Sequence, residues 1–425
     1  MRILVAGAGI GGLNAALSLH AAGFSDVTVV EAAREIQQVG VGLNLPPHAV
    51  RELSELGLAA ALERQGHATH ELAYHDANGT LIWAEPRGER AGYRWPQYSI
   101  HRGRLQQLLL AAVRDRLGPN AVVTGQRVTA LRPQHGSGVE VTTLDAHSGA
   151  RCRHEADLVV GADGIRSAVR TASLGAVPLA TNGWTMYRGA ARGAAFRGGH
   201  CMVIVGDEHR RAVVYPIDAN TLNWLIVRPQ PGAPAGEPDL GNWNRAIAPE
   251  DVARWVADWR FPWLDIPALV RASEQAWEYP MADIDPQPRW TAEGVALLGD
   301  AAHAMYPFGS NGASQAIIDG RVLAQELARH ASVGDALQAY EARRRPSVSE
   351  VQLANRRQAG DVMARVSAMA RARDHGGAAA ELQQIERRYK ELAGFDIDTL
   401  NERPSFSVPG WTPPPEDAGA TSTPA

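Results

Sequence analysis

The residues whose types and spacing are best suited to chemistry lie in one stretch, 299–319, which reads GDAAHAMYPFGSNGASQAIID. It begins with Gly-Asp and continues into a Gly-rich loop. The apolar run before it, 294–298, predicts a buried strand, and residues 313–329 have the apolar spacing of a helix. A Gly-rich loop between strand and helix is how α/β proteins form a crevice for a phosphate-bearing cofactor. The unpaired N–H groups that open the helix favour a ligand group that becomes anionic.

The first glycine cluster in chain order, GAGIGG, stands near the start of the chain. Residues 2–6 predict a strand before it, 13–22 an amphipathic helix after it, and 27–30 a second strand. This is G-x-G-x-x-G in its strand–turn–helix–strand context, followed by an acidic residue at the spacing that places it on a ribose hydroxyl. The motif predicts a dinucleotide site formed by the residues Gly7, Gly9, Gly11, Gly12 and Glu31.

Composition restricts the class of protein. A chain of 425 residues predicts two or three domains. A net charge of −4, without a Lys/Arg-rich patch, argues against nucleic-acid binding. Cys152 and Cys201 are far apart in the sequence, so we expect no disulfide and a cytoplasmic location. His303 has no second potential ligand at metal-binding spacing, so we expect no metal site. No apolar run reaches the roughly 18 residues of a spanning helix, so we expect no membrane association.

The middle of the chain has the pattern of β structure and its end that of helices. Residues 72–83 predict a hairpin, and 183–227 predict aromatic-rich β segments. Beyond 401 the chain is rich in Pro, Ser, Thr and Gly, and we expect it to be disordered. Helices are predicted in the last quarter over 334–345, 347–369 and about 378–392, with Pro346 as a break or a first-turn residue.

The second glycine cluster in chain order, GADG, closes the apolar run at 157–164, and the strand end at Gly299 is the third. One dinucleotide fingerprint explains only GAGIGG, whereas convergence on one elongated cofactor explains all three clusters. The sequence has no second G-x-G-x-x-G unit that would hold a nicotinamide coenzyme permanently. The tightly held nucleotide is therefore predicted to be a flavin.

With these motifs, residues 1–357 resemble the single-component (group A) FAD-dependent aromatic hydroxylases. The resemblance rests on G-x-G-x-x-G at 7–12, on Asp163-Gly164 and on GD…H…P-x-G-x-N-G at 299–312. Within the family, the chain is most similar to phenazine-modifying monooxygenases that act on 5-methylphenazine-1-carboxylate. The stretches that carry this similarity are GVGLN, EPRG, PQYSIHRG, MYRG, YPM and GSNGASQAIIDG.

The resemblance implies an α/β fold in which a Rossmann-like FAD-binding domain, of the para-hydroxybenzoate hydroxylase type, carries an inserted β-sheet substrate domain and C-terminal helices. We expect the FAD-binding domain to be discontinuous and the substrate domain to occupy two segments. The expected boundaries are 1–73, 98–176 and 283–355 for the FAD-binding domain, 74–97 and 177–282 for the substrate domain, 356–400 for the C-terminal helical segment, and 401–425 for the disordered tail.

The same resemblance assigns cofactor contacts. Glu31 would bind the adenosine ribose, and Arg102 the ribityl-pyrophosphate region, with a surface salt bridge as the alternative for Arg102. Asp163 and Gly164 match a motif that touches FAD and helps NADH or NADPH to bind. Asp300 would hold the ribityl chain.

Two further segments are expected near the flavin ring. Val41 lies between two glycines, Gly40 and Gly42. This pattern predicts that the backbone passes close to a flat group, and a simple loop is the alternative. The helix that begins near 312 would direct its dipole at the flavin N1–C2=O edge and stabilise the anionic reduced flavin. By the resemblance, the loop against the isoalloxazine ring contains Pro307, Gly309, Gly312 and Ala313.

Substrate contacts are expected from the β segments. Arg211 and Tyr215 lie four apart in RAVVYP and so share a strand face. Tyr215 matches a substrate-contacting Tyr of the family, and Arg211 stands where several members have His. A carboxylate-binding Arg is the hypothesis, and a solvated surface Arg is the alternative. Phe308, beside Pro307, stands where salicylate hydroxylase-like members have His. Phe in place of His predicts a less polar pocket, which suits a larger or fused ring.

The reaction implied by the resemblance begins when NADH or NADPH reduces FAD and O2 adds to give a C4a-hydroperoxyflavin. An electron-rich ring then takes the distal oxygen. The expected substrate is an aromatic or heteroaromatic carboxylate, hydroxylated with or without decarboxylation, in secondary metabolism. The alternatives are a salicylate-type or other small aromatic acid hydroxylase in catabolism, a flavin oxidase or dehydrogenase, and a non-catalytic binding protein. The sequence leaves open the choice of coenzyme and whether the chain forms a homodimer.

Overall fold

Strands and helices alternate along the first third of the chain, strands dominate its middle, and helices form its end. The computed structural model describes residues 1–38, 40–134, 138–193, 195–229, 245–358 and 363–413. The strands are β1 (Ile3–Ala6), β2 (Val27–Glu31), β3 (Gly42–Leu45), β4 (His67–Ala68), β5 (Glu71–Asp76), β6 (Leu81–Pro86), β7 (Tyr98–His101), β8 (Val122–Thr124), β9 (Gln126–Pro133), β10 (Val139–Asp145), β11 (Arg151–Ala156), β12 (Leu158–Gly161), β13 (Ala180–Arg192), β14 (Cys201–Gly206), β15 (Arg211–Asp218), β16 (Thr221–Pro229), β17 (Arg245–Ile247), β18 (Arg260–Phe261), β19 (Leu264–Asp265), β20 (Ala276–Asp283), β21 (Thr291–Ala292) and β22 (Val295–Leu297). The α-helices are α1 (Ile10–Ala21), α2 (Pro47–Glu55), α3 (Ala59–Gln65), α4 (Arg102–Leu117), α5 (Ala168–Ser173), α6 (Pro249–Trp255), α7 (Ile266–Arg271), α8 (Asp300–His303), α9 (Gly312–Arg329), α10 (Val333–Arg357), α11 (Met363–Arg371), α12 (His375–Leu392) and α13 (Ile397–Glu402).

The apolar runs beside the three glycine clusters pair in one six-stranded sheet of order β21-β22-β12-β1-β2-β8. From β22 to β8 the neighbours are parallel, and β21 is antiparallel to β22. β1, β12 and β22 are buried along their whole length, as expected for a parallel sheet covered on both faces. Because parallel strands end at the same edge, the turns after these three strands lie together. The predicted α/β fold class is confirmed.

A second large sheet has eight strands in the order β17-β20-β13-β16-β15-β14-β5-β6. The hairpin predicted at 72–83 is confirmed as β5 and β6, which pair antiparallel. Alternate residues of each strand face opposite sides. One face packs against α6 and α7 around Trp224 and Trp259, and the other packs in part against α12. β5 begins at Glu71, three residues before the boundary expected at 74, and the division into domains stays a prediction.

The helical end of the chain differs from the sequence prediction at Pro346. α10 continues through this proline, so the prediction of two separate helices at 334–345 and 347–369 is wrong. A proline inside a helix has no N–H, so the hydrogen bond to the carbonyl four residues earlier is not formed. That residue is Ala342, which is exposed, so water can bind its carbonyl while Val348 and Val351 keep the helix packed. The helix ends at Arg357, and α11 is a separate element.

The tail expected to be disordered from 401 onward is ordered as far as residue 413. Phe406 is 5% exposed and packs in the main core. The Ser407 hydroxyl accepts a bond from Arg321, and its carbonyl accepts one from Gln325. This part of the prediction is wrong because overall composition concealed two aromatic side chains, Phe406 and Trp411, that pack on the domain. Residues 414–425 lie outside the described residues.

A fully buried carboxylate, Asp319 of α9, fixes both ends of the loop that the sequence singled out. Asp319 Oδ2 accepts the Gly299 N–H at 3.0 Å and lies 2.5 Å from His303 Nε2. Arg344 Nε of α10 donates to Asp319 Oδ1 at 2.8 Å, and the same guanidinium donates to Gln315 at 2.6 Å. Burial opposes ionisation of Asp319, but His303, Arg344 and the Gly299 N–H together hold its pKa below the usual value.

We predict that Asp319→Asn lowers the free energy of unfolding at neutral pH by about 3 kcal/mol, because it leaves the Arg344 cation buried without its partner. The depressed pKa of Asp319 means that its contribution is present above the unfolded-state value of about 4 and is lost on further acidification. Urea unfolding at several pH values measures the difference. Glu350→Gln, at an exposed position of α10, is the control and should have no effect. Equal stability of Asp319→Asn and the parent at neutral pH would contradict the prediction.

Candidate active site

The first glycine cluster forms a cradle between β1 and α1. Gly7 has φ +106°, and a Cβ there would lie 2.4 Å from the Ala162 carbonyl oxygen. A Cβ on Gly12 would lie 1.9 Å from the Gly7 oxygen, and one on Gly11 would lie 2.9 Å from Leu298. Backbone contacts therefore require glycine at Gly7 and Gly12, whereas at Gly11 the Leu298 side chain would have to move.

Gly9 is different from its neighbours. It is the N-cap of α1 with φ −71° and ψ 179°, a conformation that any residue adopts. Among the residues that the structure describes, none has an atom within 4 Å of a Cβ at this position. The space beside Gly9 lies at a helix N-terminus, where N–H groups and the helix dipole favour a phosphate. Protein packing does not explain this glycine, but close approach of a pyrophosphate does.

Glu31 lies beside the cradle at the end of β2. Its Oε2 accepts the Ala8 N–H at 2.7 Å, and its Oε1 accepts the Ala33 N–H at 2.8 Å. Each carboxylate oxygen keeps a further lone pair, because an ionised carboxylate accepts about four hydrogen bonds. The two backbone bonds hold the carboxylate in the orientation from which it could accept ribose hydroxyls.

The second cluster has a structural use that the sequence did not indicate. The Asp163 carboxylate accepts bonds from the Ser167 hydroxyl at 2.5 Å, the Ala168 N–H at 2.7 Å and the Val169 N–H at 3.1 Å. It therefore caps α5. Gly164, with φ +79°, makes the turn that follows. The contacts of Gly7 place this turn against the first cluster.

A cavity of about 710 Å3 is lined by residues that the sequence assigned to cofactor binding. Arg102, Asp300 and Pro307 line it together with Gly40, and Ile165 follows directly on the second cluster. The main chain of Arg102 is held in place because its backbone N–H donates to the Val41 carbonyl at 2.9 Å. The cavity thus joins segments from distant parts of the chain, as one elongated cofactor requires.

The loop from 299 to 312 closes one side of this cavity and ends at α9. Gly309 has φ +75°, and a Cβ there would lie 2.4 Å from the ring of Tyr389 on α12. Gly312 is the first residue of α9, and a Cβ there would meet only Met305, at 3.9 Å. Partly buried Ala313 follows and packs on the core. The N-terminus of this 18-residue helix therefore opens directly at the loop, where its dipole favours negative charge.

A smaller cavity of about 240 Å3 lies on the face of the eight-stranded sheet opposite Trp224. Arg211 and Tyr215 both line it, so the prediction that they share a face is confirmed. Phe308 lies across from them, with the Arg211 guanidinium 5.1 Å from its ring centre. The other walls are mainly apolar and include Val213, Leu225, Val227, Met202, Ile204 and Leu72.

Arg211 is 6% exposed and is a cation in a mainly apolar cavity. Burial lowers its pKa to about 10, so it remains charged at neutral pH. Within the described ranges no carboxylate forms an ion pair with it, and its Nε is buried without a hydrogen-bond partner. The alternative of a solvated surface Arg is therefore excluded by its burial.

Tyr215 is buried beside Arg211 and contacts the segment that carries Gly42. A Cβ on Gly42 would lie 2.7 Å from the Tyr215 ring, and the Gly42 N–H donates to Asn223 at 2.6 Å. Glycine at this position therefore lets the segment approach the sheet, and Gly42 itself lines the smaller cavity. Burial raises the pKa of Tyr215, so the phenol stays protonated and is not a base at neutral pH.

The two cavities meet at Met186, Arg188 and Pro307, which line both. Sequence reasoning missed a role for Arg188, although it stands in MYRG on β13 at strand spacing from Met186. Its guanidinium lies 3.5 Å from the Tyr279 ring centre, and burial lowers its pKa. Tyr187, on the opposite face of β13, packs in the core around Trp224.

Comparisons with known proteins agree with this geometry. Residues 1–354 match a family described as an FAD binding domain. The chain is 44% identical over 367 residues to a phenazine 1,6-dicarboxylic acid hydroxylase from Lysobacter antibioticus, covering 83% of this chain and 89% of the relative. It is 33% identical over 415 residues to a 3-amino-4-hydroxybenzoate 2-monooxygenase from Streptomyces platensis, covering 95% and 98%. Klebsiella pneumoniae HpxO, solved with FAD and uric acid, is similar with a TM-score of 0.72 at 27% identity, over 94% of this chain and 96% of that chain.

The chain belongs to the FAD-dependent aromatic hydroxylase family. It is an FAD-dependent monooxygenase, and the predicted resemblance, enzyme class and cofactor are confirmed. The open space at Gly9 and the larger cavity both fit FAD. Across the described ranges, no group of three His, Cys, Asp or Glu side chains is arranged to hold a metal ion. In the same ranges no helix has the length and apolar character needed to span a bilayer.

We predict that Gly9→Ala weakens FAD binding by at least about tenfold without disturbing the fold of the hydroxylase. The added methyl group meets no atom of the described part of the chain but fills the space beside the N-terminus of α1. Fluorescence titration of the deflavinated protein with FAD measures the affinity, and circular dichroism checks the fold. Gly334→Ala, where a Cβ would meet only Ser332 Oγ at 3.9 Å, is the control. Unchanged FAD affinity in Gly9→Ala would contradict the assignment.

Proposed function

We propose that this enzyme uses NADH or NADPH and O2 to hydroxylate a fused-ring aromatic or heteroaromatic carboxylate, with or without decarboxylation, in secondary metabolism. The observation that carries the proposal is the unpaired Arg211 cation in the smaller cavity. The 44% identity to a phenazine 1,6-dicarboxylic acid hydroxylase supports the class of substrate.

Comparison with the other buried arginines supports a ligand for Arg211. Arg87, Arg321 and Arg344 each pair with a buried or half-buried carboxylate. Arg51 and Arg170 each donate two bonds to backbone carbonyls. Arg211 has neither kind of partner within the described ranges, and its guanidinium lies over Phe308 instead. A planar guanidinium is matched in charge and shape by a carboxylate, which would supply the missing partner.

The dimensions of the cavity favour more than one ring. Its floor extends across β13, β16, β15, β14 and β5, which are consecutive in the sheet. Four strand spacings of about 4.8 Å give a floor roughly 19 Å long between the outer backbones. The apolar side chains along this floor suit a flat, extended ring system, and Phe308 offers a ring face beside Arg211.

The residues of the chain divide the work of the reaction. When bound, FAD supplies electron transfer from the nicotinamide coenzyme and the activation of O2. Gly9 and Glu31 would hold its nucleotide end, Arg102 and Asp300 its ribityl-pyrophosphate region and ribityl chain, and Pro307 would lie against its ring. The N-terminus of α9 stabilises negative charge there. Arg211 orients the substrate, while the apolar walls of the smaller cavity exclude water from the reacting atoms.

The test is oxidation of NADH and NADPH by the FAD-loaded enzyme in air, with phenazine-1-carboxylate, its N-methyl form, salicylate and 3-hydroxybenzoate. We expect a phenazine carboxylate to accelerate oxidation and to yield a product with one added oxygen, or with CO2 replaced by oxygen, by mass spectrometry. Stimulation by salicylate or 3-hydroxybenzoate alone would favour a catabolic single-ring hydroxylase. Oxidation that produces only peroxide with each compound would overturn the proposal.

We predict that Arg211→Gln raises the KM for the aromatic carboxylate by at least about 30-fold, because truncating one partner of a buried charge pair costs about 2 kcal/mol or more. Arg211→Lys keeps the charge but loses the bidentate geometry, so its KM should lie between the KM of the parent enzyme and that of Arg211→Gln. Steady-state kinetics measures both variants. Arg192→Gln, at an exposed end of β13, is the matched control and should leave KM unchanged. An unchanged KM in Arg211→Gln would exclude this role.

The charge of Arg211 also predicts a pH dependence. The dissociation constant of the carboxylate should be constant between about pH 6 and 8, where both partners are ionised. It should rise as the pH passes the pKa of Arg211, about 10, because the neutral guanidine no longer attracts the carboxylate. Titration of the oxidised enzyme, followed by flavin absorbance, measures this without turnover. Arg211→Gln should abolish the alkaline rise, and a rise that persists in this variant would assign it to another group.

A further inference from the structure

The smaller cavity has a second polar region at the end away from the larger cavity. Tyr74 of β5, Arg87 and Glu386 of α12 line this end. β5 is separated from β13, where the two cavities meet, by β16, β15 and β14. Arg211 on β15 lies between the two ends, with its backbone about two strand spacings, roughly 10 Å, from β5.

The three side chains belong to a chain of buried charges. The Tyr74 hydroxyl donates to Glu386 Oε1 at 3.0 Å, and Arg87 donates to Glu386 Oε2 at 3.0 Å. Arg87 also pairs with Glu85 at 2.8 Å, and Lys390 lies 2.9 Å from both Glu85 oxygens. Two carboxylates and two cations make this chain electrically neutral. Lys390 is the single lysine of the sequence.

This arrangement fixes what Tyr74 can offer a ligand. Its proton is committed to Glu386, and a phenol has one proton and two acceptor lone pairs. Burial, and next the negative charge of Glu386, raise the pKa of Tyr74, so the hydroxyl is not ionised near neutral pH. Toward the cavity it therefore offers lone pairs rather than a proton, and Glu386 beside it offers lone pairs as well.

We propose that Tyr74, positioned by Glu386, selects substrates that carry a hydrogen-bond donor, such as a hydroxyl or ring N–H, at the end remote from the carboxylate. The inference rests on the proposed function, because it takes Arg211 as the carboxylate site. A second ionised carboxylate at that end would face lone pairs and the Glu386 charge, so it would be disfavoured. Glu386 and Arg87 act through Tyr74 as positioning residues.

A matched set of naphthoates tests the inference by binding alone. The probes are 6-hydroxy-2-naphthoate, 2-naphthoate and naphthalene-2,6-dicarboxylate, titrated into the FAD-loaded enzyme and followed by flavin absorbance. We expect the hydroxy compound to bind at least about tenfold more tightly than 2-naphthoate, because a site built to bond a hydroxyl disfavours the analogue that lacks it. The dicarboxylate should bind most weakly.

Two variants separate the contributions. Tyr74→Phe should remove the preference for the hydroxy compound while leaving 2-naphthoate binding unchanged. Glu386→Gln should reduce that preference and strengthen binding of the dicarboxylate, which loss of packing alone would not do. Glu391→Gln, on the exposed side of the same helix, is the control and should bind all three probes as the parent does.

The outcomes separate this inference from the function on which it rests. If the parent binds all three probes equally and Arg211→Gln loses all three, the Tyr74 inference is wrong and the carboxylate role of Arg211 stands. If Tyr74→Phe retains the hydroxyl preference, the inference is likewise overturned. Binding of none of the probes by the parent would contradict both proposals.

Discussion

The site depends on one buried carboxylate. Asp319 holds the end of the third glycine-associated strand through Gly299, the short helix α8 through His303, and α10 through Arg344. The chain between Gly299 and α9 contributes Asp300 and Pro307 to the larger cavity and Pro307 and Phe308 to the smaller one. Asp319 belongs to α9 and also bonds to Gly299 and His303, so it connects the two ends of this loop. The loop residues that line the two cavities are therefore held in position relative to each other.

The second constraint is the pleat of the eight-stranded sheet. Successive residues on β13, β15 and β14 alternate between the core around Trp224 and the floor of the smaller cavity, so residues two apart share a face. A shift of one residue in any strand would move its cavity residues into the core. The order of the strands then places Arg188, Arg211 and Tyr74 at successive distances from the junction with the larger cavity.

Local patterns allowed much of this to be predicted. The glycine clusters, with their flanking apolar runs, predicted the parallel sheet, and period-two spacing placed Arg211 and Tyr215 on one face. These signals extend over a few residues, where steric and hydrogen-bonding rules act directly. The sequence could not show that Asp163 would cap α5, because N-capping depends on the bounds of a helix that only packing defines.

Long-range packing explains what sequence reasoning missed. The polar end of the smaller cavity joins Glu85 to Lys390, which are 305 residues apart, and no local pattern connects them. Phe406 and Trp411 similarly pack on the main core from a segment whose composition indicated disorder. In α10, tertiary packing of residues after Pro346 outweighed the loss of one helical bond.

The distribution of buried charge unites these features. A folded chain that buries an arginine usually places carboxylates or carbonyls against its guanidinium, as with Arg344, Arg51 and Arg170 here. An unpaired Arg211 makes the ligand-free protein less stable than its packing would allow, and such local violations concentrate at functional sites. The same cavity contains the neutral chain from Tyr74 to Lys390, whose charges are already matched. Away from Arg188 at the junction with the larger cavity, attraction for an anion therefore centres on Arg211, which favours one orientation of a flat carboxylate along the floor.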